Sequence, residues 1–335
     1  MSSSPSTRRP ARIGRALVTG GSGFLGIHLC RSLLDAGVRV VCVDNFLTST
    51  PASAQALLGR PGFELREADV CAPLDVDGAV DCVMHLASPA SPADYQRYPL
   101  ETLAAGSSGT QNALEFAARA GARFVLASTS EVYGDPAVNP QPEEYRGNVN
   151  PTGPRSMYDE AKRFAEALTA AYRRAGTVNT GIVRIFNTYG PGMRPDDGRV
   201  VPTFACQALR GLPLTLAGDG SQTRSLCHVS DTVSGILALA ASDLPGPVNI
   251  GNPDEATVLR IAQRIISLSG SPSVIEHIPR PADDPTIRCP DISLARSVLG
   301  WEPRVAWRDG LAGTLDWFAV ALRGRSEPAQ WPVTA

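Results

Sequence analysis

The chain has 335 residues, a formal net charge of −2, and 43% hydrophobic against 19% charged residues. That balance is ordinary for a soluble globular protein; nothing in it suggests a basic nucleic-acid face, and no apolar run approaches the ~18 residues of a membrane span. The length allows one large α/β unit, or a core domain with a smaller lobe.

Residues 1–14 are rich in Ser, Pro and Arg and read as a disordered tail, not a targeting peptide. The first strand signal, residues 16–19, runs into Gly20-Gly21-Ser22-Gly23-Phe24-Leu25-Gly26. A helix pattern over 25–36 follows. Gly20 permits the tight turn, Gly23 lets backbone approach a pyrophosphate, and Gly26 lets the helix pack on the strand. Anionic phosphates then meet the helix N-terminus. A second strand, 38–44, ends at Asp44, whose carboxylate suits adenosine ribose hydroxyls and repels a 2′-phosphate. Asn45-Phe46-Leu47 bring no cation to hold such a phosphate, so the cofactor reads as NAD. Further strands are predicted at 63–67, 82–86, 123–127 and 181–186, and helices at 103–119 and 157–174. This alternation is the rhythm of an α/β fold, a Rossmann-type doubly wound parallel sheet. From Asn187 onward Pro/Gly punctuation rises, as in a smaller, loop-rich C-terminal substrate lobe. Helices at 230–241, 257–269 and 309–322 and a short strand at 247–251 complete the reading. The expected domains are an NAD-binding unit over 15–190, to which segments near 225–251 return, and a substrate lobe over 191–323. Residues 324–335 read as a loose tail.

The seven cysteines, Cys30, Cys42, Cys71, Cys82, Cys206, Cys227 and Cys289, form no Cys-x-x-Cys pair. They read as small apolar residues in a reducing, cytoplasmic compartment. With four scattered histidines, no metal site is expected.

Thirty arginines accompany a single lysine, Lys162. It stands four residues after Tyr158, on the same helix face. A compact ammonium beside a phenol favours the phenolate and lets tyrosine act as a base near neutral pH; arginine's planar fork is a poor substitute. At the end of the strand before this helix, Thr129 can bond both the phenol and a substrate hydroxyl. Glu131 adds a carboxyl group two residues on. Open α/β sheets bind ligands at such strand ends.

These residues carry a resemblance. The three glycines, Thr129 and Tyr158/Lys162 resemble the extended short-chain dehydrogenase/reductases that act on nucleotide sugars. His85-Leu86-Ala87-Ser88-Pro89, Thr129-Ser130-Glu131-Val132-Tyr133-Gly134, Arg184-Ile185-Phe186-Asn187, Gln222-Thr223-Arg224-Ser225 and Gly300-Trp301-Glu302-Pro303 narrow it to the UDP-glucuronate decarboxylase group. The resemblance implies a cofactor set of Gly20, Gly23, Phe24, Leu25, Gly26, Asp44, Asn45, Asp69, Val70, Leu86, Ala87, Tyr158 and Lys162. It implies catalytic roles for Thr129, Ser130, Glu131, Tyr158, Lys162 and Arg288. Pro89, Tyr95, Glu131, Asn187, Arg224 and Arg288 would contact the UDP-sugar, and the helices at 103–119 and 157–174 would pair in a homodimer. The implied reaction oxidises carbon 4 with NAD, loses carbon dioxide from the β-keto acid, and reduces the ketone again to give UDP-xylose.

The triplet separates the relatives chemically. A 4,6-dehydratase places an aspartate where Ser130 stands, to protonate a leaving hydroxyl; a 4-epimerase has small residues in place of the acid pair. Those two activities and a non-catalytic dinucleotide sensor are the alternatives. Four positions depart from the group: Gly106 for asparagine, which is expected to loosen the helix start, Gly192 for arginine, and Ala217 and His228 for tyrosines.

Overall fold

Thr19, Asp44, His85 and Thr129 each end a strand of one sheet, and the way those strands are ordered brings the four ends together. The computed structural model describes residues 13–323; the two predicted tails lie outside them except for Ile13 and Gly14. Gly14 N donates to Asp81 Oδ2 at 2.8 Å. β1 (Arg15–Thr19), β2 (Arg39–Asp44), β3 (Phe63–Glu67), β4 (Cys82–His85), β5 (Arg123–Thr129), β6 (Thr180–Ile185) and the strand Val248–Ile250 form a seven-stranded sheet. Every pairing is parallel. β1 is central: β2 and β3 lie on one side of it, and β4, β5, β6 and Val248–Ile250 on the other. The chain reverses its winding between β1 and β4, and a crevice opens there beyond the strand C-termini.

The sheet strands are apolar because both faces are covered. One face packs on the helices Phe24–Asp35 and Val229–Ala240, through Leu29, Leu33, Val233 and Ile236. The other packs on Thr110–Ala120 and Ser156–Arg174, through Leu114, Phe116 and Ala165. A second core joins the helices Val200–Leu209, Val258–Ser269 and Trp307–Ala321 around Phe204, Ile261, Trp307 and Phe318.

Among the elements that differ from the sequence expectation, two bear on the site. Val200–Leu209 is a helix inside the stretch read as loops. It is buried on nearly every side, so it has no two-faced pattern, and Pro202 sits in its first turn, where a missing N–H is harmless. The helix expected at 103–119 starts earlier, as Pro99–Ala104, passes through a π-turn at Ala105–Gly109 and continues as Thr110–Ala120. Gly106 therefore does not loosen a helix start. It lies inside the run, and a Cβ there would fall 2.6 Å from the Ala161 Cβ.

Candidate active site

Gly20 turns out of β1 with φ +68°, and a Cβ there would lie 2.7 Å from the Ala87 nitrogen. A Cβ on Gly26 would sit 2.2 Å from the Gly20 carbonyl oxygen. Both positions thus require glycine, for the turn and for helix–strand contact. Gly23 caps the helix Phe24–Asp35 with no side-chain bond, and the first turn holds no acid. The positive end of the helix is uncompensated and open to an anion. Asp44 Oδ2 accepts from Ser22 N at 2.9 Å, while Oδ1 accepts from Phe46 N and Ser49 Oγ, both at 2.9 Å. The acid that ends β2 is thereby fixed against the glycine turn. Asn45 Nδ2 donates to Asp69 Oδ2 at 3.3 Å, and Asn112 Nδ2 to the Val70 carbonyl at 2.9 Å. Leu86 N donates to the Thr19 carbonyl, carrying Leu86 and Ala87 to the same crevice. A cradle that any Cβ would fill, an open helix N-terminus and an acid at the end of β2 fit an NAD dinucleotide.

Thr129 ends β5 beside the phenol of Tyr158, and both are buried. Lys162 Nζ donates to the Ala127 carbonyl at 2.9 Å and lies 5.8 Å from the centre of the Tyr158 ring. The expectation of a depressed tyrosine needs correction for the protein alone. Burial pushes the Tyr158 phenol up to about 12, against the opposing pull of Arg199 and Thr129. Burial also brings Lys162 down to about 8, with Glu166 opposing. Desolvation outweighs the charges here because the whole group lies inside the protein. His85, between Thr19 Oγ1 (2.8 Å) and Thr110 Oγ1 (3.2 Å), is pushed by burial to about 3 and is neutral.

Glu131 lies on the turn that follows Thr129. Its Oε2 accepts from Arg155 Nη2 at 2.7 Å and Arg288 Nη2 at 3.0 Å. Burial opposes its ionisation, but the two guanidinium groups outweigh burial and hold the carboxyl at about 2. Arg288, almost wholly buried, also donates to the Ser130 carbonyl at 2.9 Å. Tyr95 stacks on Tyr158, and its hydroxyl is buried with no hydrogen-bond partner among the described residues. The same is true of Asn187 Oδ1, so an unused acceptor stands at that predicted sugar contact. Pro89 is buried in the segment after β4. Arg224 is committed elsewhere: it donates to Asp284 Oδ1 at 2.7 Å and to the carbonyls of Thr223 and Pro285. A diphosphate would have to share it with Asp284.

The chain thus gathers Thr129, Ser130, Glu131, Tyr158, Lys162, Tyr95 and Arg288 at one end of the sheet. Sequence reasoning passed over three neighbours. Arg155 is three residues before Tyr158, a helical spacing that could have marked it. Arg199 is the N-cap of the helix Val200–Leu209, which the sequence reading missed. Asp159 is buried beside the tyrosine, with its Oδ1 unpaired. Among the departures, Gly192 has φ +97° beside His28, Ala217 is buried, and His228 caps the helix Val229–Ala240 by accepting from Ser230 N.

A parallel sheet with a glycine turn at its switch point and a Tyr/Lys pair on the adjoining helix defines a dinucleotide enzyme of the short-chain dehydrogenase/reductase class. Residues 16–251 match the NAD dependent epimerase/dehydratase family, and the chain belongs to it. It is 49% identical to UDP-glucuronic acid decarboxylase 1 of Danio rerio, over 92% of this chain and 73% of that one. It is 50% identical to UDP-glucuronic acid decarboxylase 6 of Arabidopsis thaliana, over 89% and 86%. The solved structure of UDP-glucuronic acid 4-epimerase from Bacillus cereus, in complex with UDP-glucuronic acid and NAD, superposes with a TM-score of 0.81 at 29% identity, covering 92% of this chain and 99% of that one.

Proposed function

We propose that this protein decarboxylates UDP-glucuronate to UDP-xylose through a 4-keto intermediate, with NAD recycled. The observation that carries the reading is the Glu131 carboxylate, held ionised by Arg155 and Arg288 near Tyr158 and Thr129, with Ser130 where a dehydratase would need an acid. Identity near one half to decarboxylases over most of the chain supports it.

Bound NAD supplies a reversible hydride acceptor for carbon 4. Gly20, Gly23, Phe24, Leu25 and Gly26 would hold its diphosphate. Asp44, Asn45, Asp69, Val70, Leu86 and Ala87 would surround its adenosine end and the path to the crevice, and Tyr158 and Lys162 its nicotinamide ribose. Thr129 orients the sugar 4-hydroxyl, and Tyr158 takes its proton as a phenolate, a form that Lys162 and the positive charge of bound NAD would favour against the burial that raises the phenol in the protein alone. The ketone formed at carbon 4 makes the carboxylate a β-keto acid, so carbon dioxide leaves and an enolate remains. Protonated Tyr158 donates to that oxygen as charge develops. Carbon 5 is then protonated and carbon 4 reduced, with Tyr158 returning its proton to the 4-oxygen. Arg288 and Glu131 shape the sugar pocket with Pro89, Tyr95 and Asn187, and Arg224 serves the diphosphate.

The sheet and residues 15–190 form the cofactor domain in this reading, with 225–251 returning to it and 191–323 mainly serving the substrate. We read the enzyme as cytoplasmic, in keeping with seven free cysteines, and as a homodimer paired through the helices at 99–120 and 156–174. Leu100, Leu103 and Phe164 stand exposed there.

The test is incubation of purified protein with NAD and UDP-glucuronate. Carbon dioxide and a UDP-pentose are expected. UDP-galacturonate without gas would make it an epimerase, and dinucleotide binding without turnover a sensor.

A further inference from the structure

Decarboxylation consumes one proton, because a carboxylate departs as carbon dioxide and carbon 5 gains a hydrogen. Tyr158 is not the net source: the proton that it takes from the 4-hydroxyl goes back when the ketone is reduced. Glu131 is not the source either, since Arg155 and Arg288 bind its Oε2 at 2.7 and 3.0 Å and keep it ionised. Lys162 is committed to the Ala127 carbonyl at 2.9 Å.

Asp159 remains. It is 5% exposed, and its Oδ1 has no hydrogen-bond partner among the described residues. The charged groups that act on it are Arg155 at the start of its own helix and Glu160 within it, Glu131 on the turn after β5, and Arg288 from the C-terminal segment. Tyr95, from the short helix Pro92–Arg97, adds a second buried hydroxyl without a partner. An orphan carboxyl oxygen and an orphan phenol in one wall are unusual in a folded interior, where buried polar atoms are normally paired.

On the decarboxylase reading, we propose that Asp159 stores the proton consumed at carbon 5 and releases it once carbon dioxide has left. The Asp159 O–H bond breaks as the C5–H bond forms, and solvent reprotonates the carboxylate before the next turnover. Burial and the neighbouring Glu131 charge raise Asp159 to about 7, while Arg155 and Arg288 pull the other way. Two carboxyl groups sharing a buried site cannot both ionise easily, and Glu131 has the better-placed cations.

The store is therefore full below about pH 7 and empties above it. Single turnovers of the NAD-loaded protein with UDP-glucuronate read this directly. In the wild type, return of the transient NADH signal should slow as pH rises through about 7. Asp159→Asn should form NADH normally, return it ~100-fold more slowly at every pH, and release more of the enol left by decarboxylation, which takes its carbon 5 proton from solvent and becomes the 4-keto pentose. Asp159→Glu should restore the pH dependence, which a merely structural role would not require. Return by Asp159→Asn at the wild-type rate with the wild-type profile overturns the proposal. So does a wild-type profile with no alkaline loss, a readout that needs no variant to fold. Carbon dioxide from the wild type is scored separately: without it the decarboxylase reading itself falls, and with it only Asp159 is on trial.

Discussion

The rings of Tyr95 and Tyr158 are stacked, with centroids 5.2 Å apart and planes 9° from parallel. The Arg155 guanidinium lies 5.9 Å from the Tyr95 ring centre, so the residue that grips Glu131 also borders this stack. The phenol is thus aimed by ring contacts that do not depend on its own hydroxyl. Tyr158→Phe keeps the stack and removes only the group that moves the proton. It should fold, bind NAD with near wild-type affinity, and lose at least ~100-fold in kcat, the usual scale of general acid–base catalysis. Dinucleotide titration and steady-state rates check both halves, and near-normal turnover would eliminate Tyr158 as the base.

Glu131 ties the site to acid stability. Burial works against its charge, yet Arg288 and Arg155 hold it at about 2, below the ordinary 4.5. A carboxyl depressed in the folded state stabilises fully above its unfolded value, and that stabilisation is lost as pH falls from about 4.5 through about 2. The shift corresponds to on the order of 3 kcal/mol. Glu131→Gln should therefore be less stable than the wild type at neutral pH, because two arginines lose their partner. The difference should narrow on acidification through that window. Denaturant melts at several pH values measure it, and a gap that does not change with pH would contradict the pairing.

The sheet was legible because parallel strands covered on both faces read as short apolar runs, and Gly20, Gly23 and Gly26 mark one junction unambiguously. Tyr158 and Lys162 were legible through helical spacing and the scarcity of lysine. The helix Val200–Leu209 was hidden by being apolar all round. The tyrosine's titration was misjudged because spacing reports a neighbouring charge but not the depth of burial, and here burial dominates. The motif marks Arg224 as a UDP-sugar contact, and sequence does not show that it also pairs with Asp284. Asp159 escaped notice because one residue beyond Tyr158 is a poor helical spacing for a shared face, and only the tertiary fold puts Glu131 and Arg288 beside it.

Exposed apolar side chains on the helices proposed to pair make the proposed dimer testable. Leu100 is 75% exposed and Phe164 51%, on helices that pack against each other within one chain. Burying such side chains fully yields about 1.5–3 kcal/mol each, enough to sustain association when both copies contribute. Phe164→Glu combined with Leu100→Glu should shift the protein to monomer in light scattering while leaving the monomer folded by circular dichroism. A wild type that is already monomeric at micromolar concentration would refute the pairing.

Gly106 and Ala161 share one space. The π-turn carries Gly106 so close to the helix of Tyr158 and Lys162 that an added Cβ would meet the Ala161 Cβ at 2.6 Å and its carbonyl oxygen at 2.8 Å. Gly106→Asn must push that helix away one residue from Lys162, and overpacking of this kind costs about 1–3 kcal/mol. Ala161→Gly alone should cost about 1 kcal/mol through helix propensity. Together they should not add: removing the Ala161 methyl relieves the Cβ contact, so the double variant should be more stable than the sum of the singles by at least ~0.5 kcal/mol. Activity should follow the same order, with the single Gly106→Asn variant lowest, because displacement of Lys162 disturbs the phenol's surroundings. A double-mutant cycle from denaturant melts, with kcat measured on the same four proteins, decides it; strict additivity would mean that the two positions do not compete for the space.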